Sequence, residues 1–299
     1  MKFANVKING VNLAVTLYDG KLLPINSILP YLDSDTSQRL EGNSVDSLIK
    51  NKIDLHTLKN AINTHYEDLS GYCVPEENVE RFLPCIEKPG KIIGIGINYR
   101  RHAKEANMEI PKDPVIFSKF SNSLAGNNDE IAIPKTSKKV DYEGELGIII
   151  GERAEGENIS DAHHHIFGYF VANDISARDL QFQSTQWLLG KTLDKFAPIG
   201  PYAVTSDEVE NPNNLKIRTY VNGNLRQDSN TSDMIFNCDY IVSYLSKHFP
   251  LEPCDIILTG TPEGVIMGMQ ENDRKWLKKG DVVEVEIEKI GKLRNKFTN

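Results

Sequence analysis

The sequence predicts an α+β fold rich in strands: a mixed β-roll or barrel over residues 90–299, preceded by a small α+β domain over residues 1–85. Three observations predict it. From Lys91 onward the chain is a series of short apolar runs broken by Gly, Pro and Asn. Few helical periods separate those runs, which argues against a doubly wound sheet. Two Asn-Gly pairs, Asn9-Gly10 and Asn222-Gly223, sit between strand-like segments and read as tight hairpin turns.

In the N-terminal unit, Lys2 to Ile8 and Val11 to Leu17 flank the first Asn-Gly pair. Leu55, Leu58, Ile62 and Leu69 keep a helical period through Asp54 to Leu69. The stretch from Leu83 to Gly90 carries Pro84, Pro89 and Gly90 and punctuates the chain as a linker would. Beyond it, strands are expected at Lys91 to Ile97, Val115 to Lys119, Glu143 to Gly151, Gly168 to Asp174, Ile199 to Val204, Lys216 to Val221, Asp255 to Thr259 and Val282 to Ile287. Helices are expected at Arg100 to Ala106, Ser160 to Ile166 and Met234 to His248. The last carries Ile235, Cys238, Ile241 and Leu245 on one stripe.

At 299 residues the chain is long enough for two domains or one large one with a real core. A net charge of −8, with lysines scattered rather than clustered, argues against nucleic acid as a partner. No apolar run approaches the length of a membrane span, and the N-terminus lacks the apolar core of a signal peptide. Cys73, Cys85, Cys238 and Cys254 form no CxxC pair and fit reduced thiols. A cytoplasmic protein without membrane partners is expected.

The chemistry is expected to centre on the segment Asp141 to Ile150. Read as a strand, it places Asp141, Glu143 and Glu145 on one face, and Ile148-Ile149-Ile150 suggests burial of both faces. Carboxylates crowded inside a protein repel unless protons or a cation intervene. Asp174, at the end of another apolar run, supplies a third. Oxygen ligands with no Cys or His nearby point to Mg²⁺ or Mn²⁺. The alternatives are an acidic stripe on an edge strand and, for Asp174, a helix N-cap.

Two nucleotide motifs fail. Gly94-Ile95-Gly96 lacks a third glycine where Tyr99 stands, and Gly190-Lys191-Thr192 lacks the opening glycine of a phosphate loop, with Thr185 in its place. Consecutive His163, His164 and His165 cannot easily share one metal and read as surface residues. His102 and Glu105 are i and i+3 on a helix, the pairing of a general base with its orienting carboxylate, or of an ordinary surface pair. Arg178 and Gln181 follow Asp174 at helical spacing, and they and Lys191 either gather near it to meet an oxo acid or lie on solvated faces. Lys119 and Thr261 end apolar runs at turn-like positions, a weak sign of function.

Taken in order, the residues Asn98, His102 and Glu105, then Glu143 and Glu145, then Asn173, Asp174, Arg178 and Gln181, then Gly190-Lys191, then the Thr259 to Gly264 turn resemble the fumarylacetoacetate hydrolase family. The likeness runs from about Lys91 to the C-terminus, and the first unit is similar to the extra domain of many bacterial members. The resemblance implies a mixed β-roll and a homodimer, with Mg²⁺ or Mn²⁺ held by Glu143, Glu145 and Asp174. It implies a small 2-oxo or 2,4-dioxo acid substrate, processed through a stabilised enolate. His102, Glu105 and Lys191 would be catalytic, the first two on a mobile lid. Arg178, Gln181, Thr261 and Lys119 would meet the substrate. Hydrolytic cleavage of a carbon–carbon bond or decarboxylation of an oxaloacetate-like acid is the leading expectation. An isomerase or decarboxylase of aromatic catabolism is the second, and a metabolite sensor or scaffold on the same fold is the non-enzymatic alternative. One departure from the family pattern is Ile266 after Val265, where another glycine is common, so the shape of the distal pocket is left open.

Overall fold

The computed structural model describes residues 1–40 and 43–299. Its main feature is a ten-stranded sheet. Along the sheet the strands run Lys21–Pro24, Val11–Tyr18, Lys2–Ile8, Ala203–Thr205, Ile166–Asn173, Gly144–Ile150, Ile256–Leu258, Ile92–Gly96 and Val115–Lys119, with Arg81–Phe82 also paired to Lys2–Ile8. Strands from before residue 85 and after residue 90 therefore share one sheet, joined where Lys2 pairs with Val204. A five-stranded sheet orders Asn224–Asn230, Lys216–Val221, Val282–Ile287, Gly291–Thr298 and Glu130–Ala132. Strands dominate and helices are short, so the molecule is a β-rich α+β fold with mixed sheets.

Both Asn-Gly pairs turn hairpins. Asn9, Gly10, Asn222 and Gly223 all have positive φ, the geometry that matches the twist of the flanking strands. The Gly144–Ile150 strand is buried along its whole length. Ile148 packs into a core shared with the five-stranded sheet and the Cys238–Ser246 helix, whereas Ile149 packs into a second core shared with the N-terminal helices. Each such isoleucine contributes about 1.5–3 kcal/mol on full burial. The central strands are thus anchored from both faces, giving the acidic residues at their ends a rigid base.

Several elements differ from expectation. The run from Asp54 to Leu69 is two helices, Leu55–Thr64 and Tyr66–Leu69, parted at His65, whose ring stacks on Tyr31 at 4.4 Å. Ile199 to Val204 is not one strand: Pro201 has no N–H for a ladder, and the flanking pieces Ala197–Pro198 and Ala203–Thr205 pair with different partners. The helix expected from Met234 begins at Cys238, because Asn237 caps it by accepting from the Tyr240 N–H at 2.9 Å. Ser160 to Ile166 contains only a single 3₁₀ turn, Ala162–His165, with His163 and His164 exposed. Among the described residues, no helix is long and apolar enough to cross a membrane.

Candidate active site

The site grows from one strand pairing. Gly144–Ile150 runs antiparallel to Ile166–Asn173 with Gly144 opposite Asn173, so Glu143 and Asp174 leave the sheet side by side. The Asp174 N–H donates to the Glu143 carbonyl at 2.8 Å, and the Glu143 N–H donates to Asn173 Oδ1 at 2.9 Å. Glu145 lies two residues along the same face. One carboxylate oxygen from each of Glu143, Glu145 and Asp174 falls within 4.8 Å of the others, and the residues are 6%, 2% and 0% exposed. That burial excludes the solvent-facing stripe, and the next helix, Arg178–Gln181, has Ala177 rather than Asp174 at its N-cap.

Asp141 does not join them. The strand begins only at Gly144, and Asp141 belongs to a separate short pairing with Ser176. Its carboxylate accepts from the Ile266 and Met267 N–H groups at 2.9 and 3.0 Å and from Arg178 Nε at 3.0 Å. The period of two holds for Glu143 and Glu145 and stops there.

Cations crowd the cluster. Lys191 Nζ donates to Glu143 Oε2 at 2.6 Å and Asp174 Oδ2 at 2.7 Å; Lys119 donates to Asp174 Oδ1; Arg178 Nη1 lies 2.7 Å from Glu143 Oε1. Burial opposes the charge on Glu143, yet Lys191 and Arg178 outweigh it and hold its pKa at about 2. Glu145 goes the other way: burial first, then Asp174 and Glu143, push its carboxyl well above the ordinary range. Burial lowers the Lys119 ammonium against the pull of Asp174. The same burial acts on Lys191, where Asp174 and Glu143 prevail and raise it.

A small cavity of ≈ 30 Å³ opens on this cluster, walled by Glu143, Glu145, His102, Arg178, Gln181, Lys191 and Thr261 with Phe117, Trp187 and Met267. The failed nucleotide motif finds its purpose here. Any Cβ on Gly94 would fall 2.2 Å from the Phe117 ring, and one on Gly96 2.3 Å from that of Trp187, so these glycines let two aromatic walls lie on the strand. His102 comes from the Arg100–Glu105 helix, 6% exposed, with Nδ1 3.5 Å from Glu105 Oε2 and no hydrogen-bond partner. Gln181 Oε1 accepts from Arg178 Nη1 at 3.0 Å. Arg178 is committed mainly to Asp141 and Glu143; its Nη2 is buried without an aligned hydrogen bond. Lys119 stands apart: it touches Asp174 from behind and does not line the cavity.

One residue was placed wrongly by the sequence and one escaped it. Asp141, expected on the face of Glu143 and Glu145, instead fastens Arg178. Gln227 is fully buried; its Oε1 accepts from the Gly144 N–H at 3.0 Å, and its Nε2 donates to Thr261 Oγ1 and the Pro262 carbonyl, both at 2.9 Å. It lies in a strand, Asn224–Asn230, whose one apolar residue, Leu225, is exposed, so no hydrophobic pattern marks its inward face.

The donor set fits a hard divalent cation: among the described residues it has three converging carboxylates and no sulfur, and one of the three, Glu145, has no cationic partner. The description "fumarylacetoacetate (FAA) hydrolase C-terminal" matches residues 91–298. The chain belongs to the fumarylacetoacetate hydrolase family. It is 41% identical over 279 residues to the mitochondrial oxaloacetate tautomerase of Xenopus laevis, covering 92% of this chain and 82% of that protein. A fumarylacetoacetate hydrolase from psychrophilic Exiguobacterium antarcticum superposes with a TM-score of 0.84 at 31% identity, over 100% of this chain and 99% of the other. The maleylpyruvate hydrolase from Sphingobium sp. SYK-6, solved with manganese(II) and pyruvate, superposes at 0.78 with 25% identity, over 100% and 99%. Family members are thus enzymes of several reaction types, and one of them binds a divalent metal.

Proposed function

We propose that this protein acts on a small 2-oxo acid of the oxaloacetate type, interconverting its keto and enol forms with a divalent cation held by Glu143, Glu145 and Asp174. One observation carries the reading: two members of the buried carboxylate triad, Glu143 and the uncompensated Glu145, line one cavity with an imidazole whose Nδ1 has no partner among the described residues. Mg²⁺ or Mn²⁺ at the triad would supply Lewis acidity to a developing enolate.

The chain's own residues would do the rest. His102 takes the proton from the carbon beside the ketone, the C–H electron pair becomes the enol double bond, the carbonyl π pair moves onto the ketone oxygen, and the protonated imidazole returns the proton to that oxygen. The reverse steps restore the ketone. Lys191, raised and held positive by Asp174 and Glu143 in spite of burial, adds positive charge where the enolate oxygen would form. The unaligned Nη2 of Arg178 offers a donor to a substrate carboxylate, beside the Thr261 turn and Gln181. Phe117, Trp187 and Met267 exclude water, which favours proton transfer over hydrolysis. The relative named as an oxaloacetate tautomerase, similar over most of its length, supports the same choice. Carbon–carbon bond cleavage is the second reading, supported by the hydrolase neighbour seen with pyruvate.

The test follows the ultraviolet absorbance of enol-oxaloacetate and, in parallel, pyruvate formation. Rapid loss of the enol signal without pyruvate, dependent on Mg²⁺ and abolished by chelator, is expected. Pyruvate released in step with that loss would transfer the assignment to cleavage, and indifference to chelator would reject the cation.

A further inference from the structure

Glu105 does not behave as a simple partner of His102. Both of its carboxylate oxygens accept from the Gly264 N–H, at 3.1 Å each, whereas His102 Nδ1 is 3.5 Å away and makes no hydrogen bond. The carboxyl also sits on Gly268, where any Cβ would come within 2.3 Å of it. The segment between these two glycines carries Met267, a wall of the cavity. It is gripped from its other side: Ile266 and Met267 donate to Asp141, and Tyr142 donates its hydroxyl to the Gly264 carbonyl at 2.8 Å. Asp141 in turn holds Arg178, and Arg178 holds Glu143. The start of the His102 helix is tethered elsewhere, through the Arg101 N–H to Asp233 Oδ2 at 3.0 Å. Arg101 also reaches Glu263 Oε1 at 3.3 Å, but its side chain is 66% exposed, so that pair is weak.

We infer that Glu105 is a positioning residue whose carboxylate latches the His102 helix to the 264–268 turn, so that the imidazole and the Met267 wall are held in one arrangement. A charge-assisted bond to a backbone N–H is stronger than a neutral one, and a partly buried one is little weakened by water. Losing it frees the C-terminal end of the helix and one end of the turn together. The inference rests on the proposed function only for the role of His102; the contact with Gly264 stands without it.

Hydrogen exchange on the full chain tests it without substrate or metal. Glu105→Ala should speed exchange at least tenfold in both the 100–106 and 264–268 segments, with the Gly144–Ile150 strand unchanged as internal control. Glu105→Gln keeps a carbonyl acceptor and should stay within about threefold of wild type. In kinetics, Glu105→Ala should raise KM and leave the pH midpoint of kcat in place, whereas a residue that only tuned His102 would move that midpoint. Unaltered exchange at 264–268 in Glu105→Ala overturns the latch. Should that variant fail to fold, Gly268→Ala, which displaces the carboxylate from its seat, must accelerate both segments. Its failure to do so overturns the proposal equally.

Discussion

The Lys191 ammonium lies 2.6 Å from Glu143 Oε2 and 2.7 Å from Asp174 Oδ2, bridging two of the three clustered carboxylates and leaving the third, Glu145, without an ion pair among the described residues. Lys119 and Arg178 reinforce the same two acids from other directions. Charge balance is therefore uneven across the cluster, and the residues respond unequally to substitution.

Lys191→Met removes the bridge while Arg178 still holds Glu143 and Lys119 still holds Asp174. The cost should be about 2–3 kcal/mol, that of lost charged hydrogen bonds, below the ~3–5 kcal/mol of a buried charge left wholly unpaired. Urea denaturation checks it, and Mg²⁺ should recover part of the loss. Stability equal to wild type without metal would count against the bridge.

Glu145→Gln is the cleanest probe of cation binding. From sequence alone Glu143→Ala looks suitable, but Glu143 pairs with both Lys191 and Arg178, and its removal would take one carboxylate partner from each of two buried cations, leaving Lys191 on Asp174 and Arg178 on Asp141. Glu145 has no such partner; the N–H of Gly260 donates to it at 2.8 Å, a bond the amide oxygen of Gln can retain. Calorimetry should show Mg²⁺ affinity falling at least about 100-fold with cation-free thermal stability equal or higher. Undiminished binding would refute Glu145 as a ligand.

Cation binding should release a proton. Burial, then Asp174 and Glu143, raise the Glu145 carboxyl above its ordinary value of 4.5. In the cation-free protein its contribution to stability is fully present below 4.5 and is lost as pH rises through the higher folded value. Glu143, held at about 2, contributes the opposite way: its stabilisation is present above 4.5 and lost as pH falls toward 2. A divalent ion must displace the Glu145 proton, so Mg²⁺ affinity should weaken as pH falls. Titrations in buffers of different ionisation enthalpy measure the proton count; no buffer dependence would contradict the raised carboxyl.

Gln227→Leu keeps the volume but strands the Gly144 N–H and the Pro262 carbonyl in the core. A loss of about 2–3 kcal/mol is expected. Because Gly144 separates Glu143 from Glu145, Mg²⁺ affinity should fall with it. Thermal melts with and without the cation would show a smaller metal-induced shift than wild type.

Much of the fold is legible in the sequence where local rules dominate. The two Asn-Gly turns, the Val115–Lys119, Lys216–Val221 and Val282–Ile287 strands, and the double burial of Ile148 and Ile149 follow from turn chemistry and apolar pattern. The strand Gly291–Thr298 was not anticipated, since alternating Lys, Arg and Asn mask its buried Leu293 and Phe297. Pro201 was the visible signal against a continuous Ile199–Val204 strand.

By itself the sequence determined the acidic pair: a side-chain period of two sends Glu143 and Glu145 to one face, and the apolar run after them puts that face inside the protein. Only the tertiary structure decided what each acid meets. Lys191, Arg178, Lys119, Asp141 and Gln227 arrive from different elements, and the distances that set their pairing are a few ångströms of space across tens of residues of chain. Coulomb attraction and hydrogen bonding act through that space and leave no period along the chain. Thus two neighbouring glutamates, alike in sequence, end with opposite shifts of acidity.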